Sequence, residues 1–365
     1  MKAVAAKLRQ HFDWVLFGAM VVLGILGVVN LYSATSSTSM TLARQQVYGL
    51  GLGMVAFLGI TAMDYRIYNR LAYLLYMFGL LCLVLVLVLG KSVNGAQRWL
   101  DLGPVGFQPS EPMKVLMIIA LAKYLHDDPV VEGRSLKHIA IPFLVVGLPV
   151  LLILRQPDLG TAMIFCLIFL SVMLLTKLKL RSIITLFLVT VLSLPLTWSY
   201  LLKDYQKQRI VIFLNPGSDP SGAGWHARQS QYAIGSGKAL GKGYMEGTQN
   251  QLHFLPERWT DFPFAVWAEE WGFVGSAALL GIYLFIILWA VRLGSQARDR
   301  FGAVLCVGVA SLFFWHTVIN IGMVTGLLPV VGVTLPLMSY GRSSLITMMS
   351  GVGLLMNVAI RKSSF

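Results

Sequence analysis

Charged residues are few in this chain. Asp, Glu, Lys and Arg make up 12% of its 365 residues, about half the share usual in a soluble domain, while 56% are hydrophobic. That combination excludes a soluble globular protein. Short segments of alternating polarity are missing, which excludes a transmembrane β-barrel. Cysteine is nearly absent. Cys82, Cys166 and Cys306 are the three, all within apolar runs and none paired at metal-ligand spacing. There is no disulfide framework, and each reads as a small core residue. In the glycine-rich 229–243 stretch the G-K-[ST] of a Walker nucleotide loop is absent. Acidic residues number 16 against 29 Lys and Arg. In a membrane protein that excess reflects basic cytoplasmic loops facing anionic headgroups, not nucleic acid.

Long apolar runs are what the chain has in abundance. A helix needs about 20 apolar residues to cross the hydrocarbon. Ten segments are candidates: 14–33, 46–63, 71–90, 112–126, 139–155, 160–176, 183–203, 272–292, 302–326 and 338–360. The expected fold is all-α and polytopic, one domain over 1–365. It has ten transmembrane helices and one large extracytoplasmic loop, 204–262, between spans 7 and 8. A basic start (Lys2, Lys7, Arg9) precedes the apolar run from Trp14 to Val29. The run is too long for a signal peptide and lacks a cleavage site, so it reads as an uncleaved first span. With the N-terminus inside, 16 of the 29 Lys and Arg fall on the inner face. The even span count then puts both termini in the cytoplasm.

Five polar stretches interrupt the apolar pattern. The first, K-S-V-N-G-A-Q-R-W-L-D-L-G-P-V-G-F-Q-P-S-E-P-M-K (91–114), has turn signals at Asn94-Gly95 and Gly103-Pro104. Ser110 is placed to cap the fourth helix, with Glu111 and Pro112 in its first turn. Glu111 and Lys114 share a helical face. They form a local ion pair or, with Arg98, line a polar cavity; charges at this depth seldom face lipid, which favours the cavity. In R-Q-P-D-L-G-T-A (155–162), Asp158 either caps the sixth helix or pairs with an arginine beside the bundle interior.

The long loop includes F-L-N-P-G-S-D-P-S-G-A-G-W (213–225), turn-rich and expected to be irregular. Its Q-S-Q-Y-A-I-G-S-G-K-A-L-G-K-G (229–243) is either a set of glycine turns or a phosphate cradle of backbone N–H groups with Lys238 and Lys242. The fourth stretch is H-F-L-P-E-R-W-T-D-F-P-F-A-V-W-A-E-E-W-G-F-V-G (253–275). Carboxylates amid Trp, Phe and Val at a membrane edge are costly. Asp261 either caps a helix starting near Phe264 or acts as a general base in a partly apolar pocket, tuned by Glu257 and Arg258. Glu269 and Glu270 read as cavity or packing residues.

In the fifth stretch, 315–344, His316 and Asn320 share one helical face, which suits an interhelical hydrogen bond. Gly326, Pro329, Gly332 and Pro336 break the helix. Such irregular backbone must be buried in protein or line a wet cavity. Ser339, Tyr340, Arg342, Ser343 and Ser344 then stand at the mouth of the last span.

Six motifs in this order resemble the SEDS family (shape, elongation, division and sporulation). They are G-A-Q-R-W-L-D-L-G…F-Q-P-S-E, Q-P-D-L-G-T-A, F-L-N-P…D-P-S-G-A-G-W, Q-S…A-I-G-S-G…G-K-G, F-L-P-E-R-W-T-D-F and G-L-L-P-V-V-G-V-T-L-P-L-M-S-Y-G. L-D-L-G and L-P-E-R look more like the RodA-like elongation branch than the FtsW-like division branch. The resemblance implies a peptidoglycan glycosyltransferase in the bacterial cytoplasmic (inner) membrane. It would polymerise lipid II on the outer face, release undecaprenyl pyrophosphate, and work with a class B penicillin-binding protein that crosslinks the glycan.

The family's proposed catalytic aspartate falls on Asp261, and its polar cavity on Arg98, Trp99, Glu111, Lys114 and Asp158. Positive charge for the leaving pyrophosphate would come from Arg98, Lys114, Lys238, Lys242 and Arg342, with a divalent cation, magnesium or manganese, as an optional addition. Glu257, Arg258 and Ser339 complete the expected substrate-binding set. The chain departs from the family pattern in four places: Trp259 precedes T-D-F, Pro263 follows it, Lys238 replaces a glycine, and so does Arg342. Two other classes compete. A flippase for a lipid-linked precursor would place its richest site near the midplane. A non-catalytic scaffold for the partner synthase would tolerate replacement of Asp261.

Overall fold

The computed structural model describes residues 11–36, 40–93, 96–101, 106–128, 133–176, 178–196, 198–199, 203–215, 219, 222–252, 254–255 and 257–362. Its long helices are α1 (Trp14–Thr35), α2 (Thr41–Ala62), α3 (Tyr65–Leu89), α4 (Ser110–Asp127), α5 (Leu136–Arg155), α6 (Leu159–Leu174) and α7 (Leu180–Leu196). They continue with α8 (Asp204–Leu214), α9 (Ala223–Ser236), the single turn α10 (Thr248–Gln251), α11 (Pro263–Ser295), α12 (Arg300–Val324) and α13 (Arg342–Arg361). Seven of these are long and apolar enough to cross a membrane: α1, α2, α3, α5, α11, α12 and α13. The remaining expected spans fall on α4, which carries Glu111 and Lys114, on the apolar but shorter α6, and on the 17-residue α7.

Aspartates start many of the helices. Asp13, Asp64, Asp158 and Asp299 each accept a backbone N–H of the first turn, from Leu16, Arg66, Thr161 and Gly302. Each satisfies an orphan donor and places negative charge at the positive helix end. The bundle is built around α13 and α12. In its most apolar window α13 is 89% buried, whereas α11 is 22% buried, so α11 presents most of its surface outward. α13 packs along α2, and α12 packs against α11, α4 and α6.

Several expectations need correction. The chain is not wholly α-helical: β1 (Lys91–Val93), β2 (Ala96–Asp101) and β3 (Gly106–Phe107) form a small antiparallel sheet in the order β1-β2-β3. Val93 pairs with Ala96 and Leu100 with Phe107. The Asn94-Gly95 and Gly103-Pro104 turn signals lie outside the described residues, between these paired strands. The 204–262 segment is not an open loop either, since it holds α8, α9 and α10. Pro109, not Ser110, precedes α4, and the Ser110 side chain makes no cap; it is buried in the first turn. Of the cysteines only Cys306 is buried; Cys166 is exposed on α6 and Cys82 is intermediate.

Pro263, an odd residue beside the T-D-F motif, has a plain account. It occupies the first turn of α11, where its missing N–H removes nothing, and its carbonyl accepts Asn30 Nδ2 at 3.0 Å. α11 breaks at Gly272, whose φ of 62° and ψ of −160° no helix shares. A side chain there would strike the backbone of Ala239 and Gly241.

Candidate functional site

A cavity of about 270 Å³ opens where β2, α4, α6, α12, α13 and the irregular 325–341 segment converge. Its wall carries Arg98 and Trp99 from β2, Glu111 and Lys114 from α4, Asp158 at the start of α6, His316 from α12 and Arg342 at the start of α13. Residues distant in sequence therefore supply one polar chamber. Inside it, Lys114 Nζ lies 2.8 Å from Glu111 Oε1 and 2.9 Å from His316 Nε2, and all three residues are buried. The local-pair and cavity readings of Glu111 and Lys114 describe the same geometry.

Asp158 also does both things expected of it. One carboxylate oxygen caps Thr161 N at 3.1 Å, and the other lies 3.7 Å from Arg98 Nε. The arginine is Arg98, sixty residues earlier, whose guanidinium also donates to the carbonyls of Gln156 (3.3 Å) and Pro157.

Asp261 sits in the turn that precedes α11. It does not cap that helix; Phe262 precedes it with no side-chain cap. The Asp261 N–H donates to Glu257 O at 3.0 Å, and its carbonyl accepts Asn320 Nδ2 at 3.0 Å. Asn320 also donates to Val333 O at 2.7 Å, which ties the aspartate turn to the irregular segment. Gly332 passes directly over the carboxylate. Its φ of +71° suits glycine, and a Cβ there would stand 3.6 Å from Asp261 Oδ2. Next to Asp261, Thr260 lines the cavity. Burial pushes the Asp261 carboxyl up to about 7; Glu257 and Asp158 act in the same direction, while Arg209 and Arg98 oppose it.

Other expected residues lie elsewhere. Arg258 is buried, donates to the Asn250 carbonyl and lies over the Trp259 ring. Lys242 reaches Glu269 at 2.7 Å, and neither it nor Lys238 lines the cavity. The glycine-rich stretch packs backbone to backbone on the break in α11. Lys242 N and Gly243 N donate to the carbonyls of Glu269 and Glu270, and Phe273 N and Val274 N donate back to Lys238 and Ala239. Its glycines permit close approach, and the N–H groups of Gly237, Lys238, Gly241, Lys242 and Gly243 are committed to carbonyls. Ser339 is buried and accepts Leu335 N at 2.7 Å, shaping the loop behind the wall. Glu257 is exposed on the turn beside Asp261. Sequence reasoning did not count His316 or Arg209 among the site residues. His316 had a signal in its one-turn spacing from Asn320; Arg209, which donates to Val330 O at 3.1 Å, had none.

The fold and cavity define a polytopic helical membrane protein with a cation-rich chamber near the Asp261 carboxyl. The chain belongs to the FtsW/RodA/SpoVE family: the family model, described as cell cycle protein, matches residues 10–364. It is similar to the peptidoglycan glycosyltransferase MrdB of Escherichia coli K12, 40% identical over 350 residues that cover 96% of this chain and 94% of that one. It is also 33% identical to the peptidoglycan glycosyltransferase RodA of Treponema pallidum, covering 97% and 98% of the two chains. Among solved structures it resembles a chain from work on the coordination of polymerization and crosslinking by a peptidoglycan synthase complex. That match has TM-score 0.85, 35% identity, and covers 97% and 99% of the two chains. The rod shape determining protein RodA of Thermus thermophilus matches at TM-score 0.73 and 32% identity, covering 97% and 98%.

Proposed function

We propose that this chain is a peptidoglycan glycosyltransferase that polymerises lipid II during cell elongation, with Asp261 as the general base. The membership of the family and the names of its relatives support the activity. The observation that carries the role of Asp261 is its setting: a carboxyl pushed up to about 7 by burial, at the edge of a cavity walled by Arg98, Lys114 and Arg342. A hydroxyl oxygen of the acceptor sugar attacks the anomeric carbon of the donor. Its proton passes to Asp261 as the bond to the lipid diphosphate breaks. The leaving diphosphate takes the electron pair, and Arg98, Lys114 and Arg342 offset its charge. Among the described residues no group of three His, Cys, Asp or Glu side chains is placed to hold a metal ion. A magnesium or manganese ion, where one is bound, would add positive charge at the leaving diphosphate alongside these side chains.

The topology that fits this reading has ten spans, both termini in the cytoplasm and the 204–262 segment outside, so that the cavity meets lipid II after it has crossed. The partner that fits it is a class B penicillin-binding protein; the similar chain from a synthase complex supports that reading. The test is polymerisation of lipid II by purified, folded Asp261→Asn. Loss of glycan polymer is expected; normal polymer would remove Asp261 from the mechanism.

A further inference from the structure

A lysine ammonium only donates hydrogen bonds. The 2.9 Å contact between Lys114 Nζ and His316 Nε2 therefore makes Nε2 the acceptor. The ring proton is then on Nδ1, which donates to Thr334 O at 2.9 Å. The two contacts together allow one neutral tautomer. With Glu111 accepting a second ammonium hydrogen at 2.8 Å, the third is left to the cavity that Lys114 lines. One helical turn further along α12, Asn320 holds the Asp261 and Val333 carbonyls. A single face of α12 thus grips the buried ammonium and the aspartate turn, through residues about 6 Å apart along its axis. It also grips the adjacent residues Val333 and Thr334 of the irregular segment.

We infer that His316 is a positioning residue, holding the Lys114 ammonium as a fixed donor to an anionic group of the ligand. In the reading above, on which the inference rests, that group is the lipid-linked diphosphate. An apolar residue at 316 leaves Lys114 one acceptor short where it is buried, and releases Thr334. Glu111 is then the one acceptor of the pair left to hold the ammonium in place. The charged groups around it are Glu111 on its own helix, Asp158 at the start of α6, Arg98 on β2 and Arg342 at the start of α13.

The experiment compares His316→Leu with His316→Gln in the full-length chain, measuring kcat and KM for lipid II. His316→Leu should lower kcat about 100-fold, with KM within about threefold of wild type, as misplacement of a reacting group does. Glutamine can accept from Lys114 and donate to Thr334, so His316→Gln should stay within about tenfold of wild type. Equal impairment of both variants would show a purely structural histidine and overturn the inference, as would wild-type kcat in His316→Leu.

A second measurement needs no turnover. Inorganic pyrophosphate should raise the melting temperature of the wild type and of Asp261→Asn, but not of His316→Leu. If the wild type fails to polymerise lipid II yet this shift depends on His316, the glycosyltransferase reading fails and the inference stands. Equal stabilisation of all three chains, or of none, overturns the inference whatever the polymerisation assay shows.

Discussion

Two buried polar clusters invite comparison among the described residues, and the first of them lines the cavity. In the first, Glu111, Lys114 and His316 share an open chamber with Arg98 and Asp158. In the second, Glu269 accepts from Lys242 (2.7 Å), Thr248 Oγ1 (3.2 Å) and Gln249 N (3.0 Å), while Glu270 accepts from Ser33. Glu269 and Glu270 are sealed, at 0% and 1% exposure. Both clusters place carboxylates in an apolar bundle and give them cations and donors, though no hydrogen bond reaches the second oxygen of Glu111 or of Glu269. The difference is what remains over. The second cluster uses its groups to lock the 242–249 segment onto the broken helix α11. The first leaves donors facing empty space. Costly burial of charge marks both, and access to a cavity separates chemistry from architecture.

That comparison breaks if the two clusters respond alike to mutation. The largest effect is expected at Arg98. Arg98→Gln should lower kcat about 100-fold, the scale of losing one charge-stabilising donor, with little change in melting temperature because Asp158 keeps its cap on Thr161. Gly332→Ala should lower activity about tenfold and stability by about 1 kcal/mol, since it strains a positive φ and brings a methyl against Asp261. Activity assay and thermal melting check both variants. In the sealed cluster the pattern should invert. Glu269→Gln weakens the contacts to Lys242 and Thr248 and should cost about 1–3 kcal/mol in denaturation. Its kcat per folded molecule should stay within about threefold of wild type. A loss of chemistry without a loss of stability there would erase the distinction.

The last effect is one of stability against pH. The Asp261 carboxyl is raised from 3.8 to about 7 by folding. The folded state therefore holds its proton more tightly than the unfolded chain. The stabilisation this gives is complete below about pH 4 and is lost as pH rises through 7. Asp261→Asn removes the titration. Relative to wild type it should gain stability from pH 5 to pH 8, by at most about 2.5 kcal/mol, measured as the difference between the two pH–stability curves.

Much of the cavity was legible before the structure, and for a physical reason. Glu111 and Lys114 stand three apart on a helix, so local geometry already brings them together. Asp158 occupies a capping position that depends only on its own helix. What could not be read was pairing across the chain: nothing in the sequence joins Arg98 to Asp158, or His316 to Lys114. Adjacency misled at Arg258, which neighbours the aspartate turn yet points to Asn250. Glycine misled at 235–243, because the same residue serves a phosphate cradle and a close backbone contact, and Glu270 O lies where a Cβ on Gly241 would be. The sheet of β1, β2 and β3 escaped notice because its strands are too short to show a period of two.

The central claim is that Asp261 accepts the proton of the attacking hydroxyl. The most direct measurement is the pH dependence of kcat/KM for lipid II polymerisation. A base raised to about 7 by its surroundings should give an ascending limb half-maximal near pH 7, and Asp261→Asn should leave no activity to titrate. A profile flat from pH 5 to pH 8, or an Asp261→Asn variant with the same limb as wild type, would contradict it.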